Sequence, residues 1–376
     1  MKVGIDGRAA KWYRGTGIGT YTFQLIKSIN EIDKKNEYLL FMPEGGTCDI
    51  NYNENFNIKN ITENNQNNFW DEVNIPNILK DSEIDIYHVP QNGIGLPRDK
   101  RCPMVITLHD IIPYKMPETV GPTYLKIFLE QMPNIVAQCD AILTVSDFSK
   151  SDIVNTFNFP KEKVFVAHLA PEDIYKPLNK EFSKSLIKSN YSIEGNFILY
   201  IGGFSPRKNI VGLIEAFSKL TKYYDGNISL VIAGKKGASY ETYKNRASEL
   251  NVSDKVIFPG FISLEHLPYL YNAAELFVYP SFYEGFGLPP VEAMACGIPV
   301  IASNTTSLPE IVGDCAVLID PNNIDEIYSS MLRVLEDNML RDKLILSGLI
   351  RVSELNWKHT AKKTIMAYNK IINSWS

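Results

Sequence analysis

Phe197-Ile198-Leu199-Tyr200-Ile201 is a continuous apolar run, and Gly202-Gly203-Phe204-Ser205-Pro206-Arg207-Lys208-Asn209 follows it as a turn rich in glycine and charge. A helix-length pattern over 209–223 comes next, then a second apolar run at 229–233. Strand, turn, helix and strand in that order predict a parallel sheet, since antiparallel neighbours need only a short hairpin. The runs are continuous rather than alternating, as expected of strands buried on both faces.

Outward from this unit the same rhythm repeats. Runs at 256–258, 276–279, 299–302 and 316–319 extend the series towards the C-terminus. An earlier series lies at 2–6, 38–42, 84–89, 104–108, 141–145 and 164–167. Two such series predict two doubly wound α/β sheets. The break between them, 171–196, carries Pro171, Pro177 and Gly195. Domains are therefore expected over 1–178 and 185–356, and a length of 376 residues suits two cores of roughly 150 to 200 residues. A last helix over 357–373, with Trp357, Ala361, Ile365, Tyr368 and Ile372 on one face, is expected to cross back to the first domain. Residues 51–68 hold nine asparagines and read as a surface excursion.

Composition narrows the function. An apolar share of 45% with 22% charged residues excludes a disordered chain or a fibrous repeat. Residues 1–180 hold 19 basic and 23 acidic groups, and 181–376 hold 19 and 20, so neither half is a cationic surface for nucleic acid. The five cysteines form no C-x-x-C and read as core residues of a reducing compartment. Asp6 arrives too early for a signal peptide, and no stretch approaches 18 uninterrupted apolar residues. A cytoplasmic location is expected.

Four places could carry chemistry. Gly15-Thr16-Gly17-Ile18-Gly19 precedes a helical pattern and could bring backbone N–H groups to an anion. It is also readable as an ordinary turn, and it stands too far from the first strand for a dinucleotide fingerprint. In the 202–209 turn, Arg207 and Lys208 suit a diphosphate, the first as a fork and the second as a mobile point charge. A solvated basic turn is the alternative. Glu284 and Glu292 are separated by seven residues in Tyr283–Gly297, as are Glu241 and Glu249 in a polar helix, so context must decide. Glu284 follows a buried strand, Gly285-Phe286-Gly287 forms a turn, and Leu288-Pro289-Pro290 opens a helix that Gly297 ends. That arrangement aims two carboxylates and free N–H groups at a strand end. His109 ends the run 104–108 at the crevice of its sheet, where a core role is the alternative; for His88 the core role is preferred. No metal-ligand spacing and no Asp-x-Asp is present.

Together these motifs resemble the retaining glycosyltransferases of family four, over nearly the whole chain. The resemblance rests most on Pro206-Arg207-Lys208-Asn209 and on the stretch Pro280–Pro299. It implies two facing Rossmann-like domains with a deep interdomain cleft (the GT-B fold). By the same resemblance Glu284 faces the donor sugar, Glu292 holds the ribose hydroxyls, and Gly203, Arg207 and Lys208 serve the diphosphate with the Gly285–Leu288 turn. His109 is then near the transferred sugar and Gly17 near the phosphate or acceptor. Many members carry Arg where this chain has Phe204, which leaves Arg207 to supply that charge.

The expected activity is metal-independent transfer of a hexose, mannose first, to a saccharide or lipid-linked saccharide in cell-surface glycan synthesis. GDP-mannose is the favoured donor, with UDP-sugars open, and no cofactor is implied. Any membrane contact is expected to be peripheral, at the inner face. A sugar-nucleotide epimerase and a non-catalytic nucleotide-sugar-binding subunit are the alternatives. The Tyr283–Gly297 pattern argues against the first, and the retained cations and Glu284 against the second.

Overall fold

The computed structural model describes residues 1–43, 48–61, 79, 82–97, 99–237 and 239–375. The chain divides into two compact units. The first comprises Met1–Pro117, Gly121–Leu169 and Asn356–Ser376; the second comprises Glu118–Val120 and Ala170–Leu355. The change of unit thus falls at Leu169/Ala170, ahead of the expected 178.

The first unit holds a seven-stranded sheet of order β3-β2-β1-β4-β5-β6-β7. Its strands are β1 (Lys2–Asp6), β2 (Glu37–Pro43), β3 (Phe56–Ile61), β4 (Ile86–Val89), β5 (Met104–Thr107), β6 (Ala141–Thr144) and β7 (Val164–Val166). Every pairing is parallel. β4, β5 and β6 are buried along their whole length, which their continuous apolar sequences require. Phe41, Tyr87, Ile106, Phe128, Met132 and Ile142 anchor the core on which they pack.

The second unit holds a six-stranded parallel sheet of order β10-β9-β8-β11-β12-β13. These strands are β8 (Asn196–Ile201), β9 (Ile228–Ala233), β10 (Val256–Gly260), β11 (Leu276–Tyr279), β12 (Val300–Ser303) and β13 (Val317–Ile319). Between β8 and β9 runs the helix Ile210–Tyr223, burying Leu213, Ile214, Phe217 and Leu220 against the sheet. Asn209 starts it: Oδ1 accepts from Gly212 N–H at 3.2 Å, at a backbone φ of 54° that asparagine tolerates better than most residues.

Four expectations need correction. β3 lies within the asparagine-rich excursion: Phe56 and Ile61 are buried while most of the residues between them face solvent, the pattern of an edge strand. Residues 62–68 of that excursion fall outside the described set. The break at 171–196 contains a helix of the second unit, Lys180–Tyr191, capped where Asn179 Oδ1 accepts from Phe182 N–H at 2.8 Å. Between β1 and the glycine turn lies a short helix, Arg8–Trp12, which the strand and helix patterns did not include. The last helix, Trp357–Ser374, belongs to the first unit, but its buried face is Trp357, Thr360, Ala361, Thr364, Ala367, Tyr368 and Ile371. Two threonines replace the expected Ile365 and Ile372, because each hydroxyl bonds to a carbonyl (Thr360 Oγ1 to His168 O, Thr364 Oγ1 to Thr360 O) and can be buried.

Among the described residues no helix is long and apolar enough to cross a membrane. The helix Pro122–Gln138, considered as a surface contact, buries Phe128, Met132, Ile135 and Val136 in the first core and leaves Leu129 exposed.

Candidate active site

In the second unit Arg207, Lys208 and Glu284 converge. β8 ends at Ile201, and the turn after it closes as a short 3-10 helix, Pro206–Lys208. β11 lies beside β8 in the sheet and ends at Tyr279, delivering Ser281–Glu284 to the same edge. Glu284 Oε1 receives Arg207 Nη1 at 3.0 Å and Lys208 Nζ at 2.5 Å. Arg207 also donates to the Tyr283 carbonyl at 2.8 Å, and its own carbonyl accepts from Phe282 N–H at 2.8 Å. The two segments are therefore stitched together by both backbone and side chain.

Glu284 and Lys208 are each 6% exposed. Burial alone would raise the carboxyl, but Arg207 and Lys208 outweigh it and hold Glu284 down to about 2. It is ionised throughout the neutral range, and its stabilising pairing is lost only as pH falls from the ordinary carboxylate range through about 2.

The turn after Glu284 is held from β12's side. Glu284 N–H donates to Thr306 Oγ1 at 3.1 Å, and Ser307 Oγ reaches the carbonyls of Glu284 and Phe286 at 2.9 and 3.1 Å. Gly287 has φ 98°, and a Cβ there would come within 2.6 Å of Leu308 Cδ2. Only glycine satisfies both demands. Gly285 and Phe286 are buried, and Leu288 opens the helix Leu288–Ala295. Because Pro289 and Pro290 occupy the next two positions, the expected row of free N–H groups shrinks to Gly287 and Leu288.

One turn into that helix, Glu292 faces a different environment. Tyr271 Oη donates to Glu292 Oε2 at 2.8 Å. Burial raises the carboxyl to about 7, with Tyr271 and Tyr175 hydrogen bonds opposing and the Glu172 charge adding to the rise. Two glutamates of one motif thus sit at opposite ends of the carboxylate range.

The remaining second-unit residues divide. Gly203 is exposed, and its carbonyl accepts from Tyr200 Oη at 3.2 Å. Phe204 turns inward against Tyr240, Tyr243 and Phe258. Its apolar environment accounts for the absence of a cation there.

His109 and Gly17 belong to the first unit. His109 follows β5, is 8% exposed, and bonds through Nε2 to the Pro90 carbonyl at 3.0 Å. Burial lowers it to about 4, so the ring is neutral. His88 is fully buried between Tyr368 Oη at 2.6 Å and Thr107 Oγ1 at 2.8 Å, which is the core role. Gly17 is the exposed first residue of the helix Gly17–Ile32, whose cap is Thr16 Oγ1 accepting from Gly19 N–H at 3.2 Å.

Sequence reasoning missed Tyr279 and Tyr271, which hold Lys208 and Glu292, and the pair Asp6–Arg8. Arg8 meets Asp6 through Nε at 2.9 Å and Nη2 at 2.6 Å, and both residues are nearly inaccessible. A tyrosine ending an apolar strand run was the available signal for Tyr279. Nothing in the spacing of Asp6 and Arg8 marked that pair.

Comparison with known proteins bears on the family and the fold. The profile described as Glycosyltransferase Family 4 matches residues 15–170, and that of Glycosyl transferases group 1 matches 183–348. The O-antigen chain mannosyltransferase B of Escherichia coli is 36% identical over 291 residues, covering 77% of this chain and 75% of that protein. The serotype-specific mannosyltransferase WbdA of E. coli is 29% identical over 293 residues, or 76% of this chain, which spans only 36% of WbdA. Sucrose-phosphate synthase from Thermosynechococcus elongatus superposes with a TM-score of 0.78 over 100% of both chains at 19% identity, a likeness of fold (GT-B). The chain belongs to the glycosyltransferases of family four.

Proposed function

We propose that the chain transfers mannose, with retention of configuration, from a nucleotide-linked donor to a saccharide or lipid-linked saccharide of a cell-surface glycan. The observation that carries the donor assignment is the convergence of Arg207 and Lys208 on one Glu284 oxygen at the strand ends. Mannose and surface glycan are taken from the names of the E. coli relatives, and GDP-mannose is the donor proposed ahead of UDP-sugars.

Breaking the sugar–phosphate bond puts added charge on the departing nucleoside diphosphate. Arg207 and Lys208 are preorganised to stabilise it, and the N–H groups of Gly287 and Leu288 are assigned to the same charge. Glu284 then exchanges cation contacts for donor-sugar hydroxyls. The leaving phosphate oxygen takes the acceptor's hydroxyl proton as the new bond forms on the same face, so no side-chain base is required. The carboxylates position substrate and form no covalent intermediate. His109 near the transferred sugar and Gly17 near the phosphate or acceptor follow from the family resemblance.

Nucleotide release across GDP- and UDP-sugars tests the donor. GDP-mannose is expected to turn over fastest, and to do so in excess chelator, because the two side-chain cations supply the charge a metal would carry. Turnover abolished by chelator and restored by manganese contradicts this reading.

Glu292 makes a second test. Ribose hydroxyls donate to a carboxylate, so binding favours its ionised form, whereas the unliganded group sits near 7. Nucleotide affinity should rise with pH between about 6 and 8, by at most about tenfold per unit, with proton release on binding. Glu172, Tyr175, Tyr271 and Cys296 are the other titratable groups beside it. Calorimetry in buffers of different ionisation enthalpy measures the release, and Glu292→Gln should abolish it. A flat affinity in the parent protein removes the ribose assignment.

A further inference from the structure

Tyr279 is the last residue of β11 and is 1% exposed. Its ring stacks on Tyr200 of the neighbouring strand β8 at 5.9 Å and on Phe277 of its own strand at 5.9 Å, and the two contacts fix its direction. Lys208 Nζ donates to Tyr279 Oη at 2.5 Å and lies 4.8 Å from the centre of the ring. The same ammonium donates to Glu284 Oε1, so the phenol oxygen and the carboxylate hold it together. Burial, together with the Glu284 charge, keeps that phenol protonated far above the neutral range.

We propose that Tyr279 is a positioning residue of the donor site, holding the Lys208 ammonium at the place where the departing diphosphate develops its charge. The inference rests on the donor reading given above. An ammonium on a four-carbon stem is mobile, and its stabilising power at a developing anion depends on being held there before the reaction. Glu284 alone cannot hold it through a turnover in which Glu284 exchanges its own partners. The Tyr279 hydroxyl makes no such exchange. The Tyr200–Tyr279 stack extends the same support to the other side of the turn, where Tyr200 Oη bonds to the Gly203 carbonyl.

Tyr279→Phe keeps the ring and removes only the hydroxyl. Its kcat should fall about tenfold, equivalent to ~1.4 kcal/mol, while the donor KM moves less than about twofold. Its thermal midpoint should stay within about 3 °C of the parent. In a Lys208→Ala background the same substitution should cost nothing further, because the residue acts through that ammonium. An unchanged kcat, a multiplicative loss in the Lys208→Ala background, or a larger fall in midpoint each overturns the proposal. Failure of the donor reading looks different: Lys208→Ala by itself would leave turnover intact.

Discussion

Lys208→Ala is expected to lower kcat about 100-fold, equivalent to ~3 kcal/mol of lost transition-state stabilisation. Three features make this the largest catalytic effect in the molecule. The ammonium is buried, so its field is poorly screened by solvent. It is held by Tyr279 and Glu284 at 2.5 Å each, so little reorganisation is needed when charge develops. The neighbouring guanidinium of Arg207 is committed in part to the Tyr283 carbonyl and cannot move into the vacated place without giving up that bond. Lys236 is the control: it is exposed and lies 4.5 Å from the Tyr240 ring, away from Glu284. Lys236→Ala should leave turnover within about twofold of the parent. Steady-state release of nucleotide from both variants decides the matter, with circular dichroism to verify folding. Equal, small effects at the two positions would sink the diphosphate assignment.

The second large effect concerns stability and lies in the first unit. Asp6→Ala takes from the Arg8 guanidinium the carboxylate to which it makes two side-chain bonds at 2.9 and 2.6 Å. Gln91 Nε2 loses its 2.7 Å bond to Asp6 Oδ2 as well. Removing one partner of a buried ion pair costs about 3–5 kcal/mol, because the remaining charge cannot regain its hydration. The double variant Asp6→Ala with Arg8→Met should recover most of that loss, since no charge is then buried. Denaturant unfolding of parent, single and double variants measures all three. A single variant within about 1 kcal/mol of the parent would show that water reaches Arg8 and that the pair is not dry.

Much of the architecture was legible in order of residues. Twelve of the strands follow apolar runs that any buried parallel strand must show, and the helix Ile210–Tyr223 announces itself through Asn209 and its apolar spacing. β3 was not legible, because an edge strand needs only Phe56 and Ile61 buried and tolerates asparagine elsewhere. The helix Lys180–Tyr191 hid for a related reason: its buried face is narrow, with Ser183 and Ile187 the buried positions. Thr360 and Thr364 hid because a hydroxyl bonded to a backbone carbonyl is as easily buried as a methyl group.

For the site, the residue types and their order along the chain determined which chemistry was available: two adjacent cations after one strand and two spaced glutamates after another. Only the tertiary structure decided how those groups differ. Glu284 and Glu292 share a motif, yet one lies against two cations and is held to about 2, while the other lies among tyrosines and a second carboxylate and is raised to about 7. That difference arises from partners far away in sequence, Arg207 and Lys208 for the first, Glu172, Tyr175 and Tyr271 for the second. Local spacing places a carboxylate on an element. The charges, hydroxyls and burial around it come from whichever other elements the sheet order sets beside it, and here β8 beside β11 made that choice.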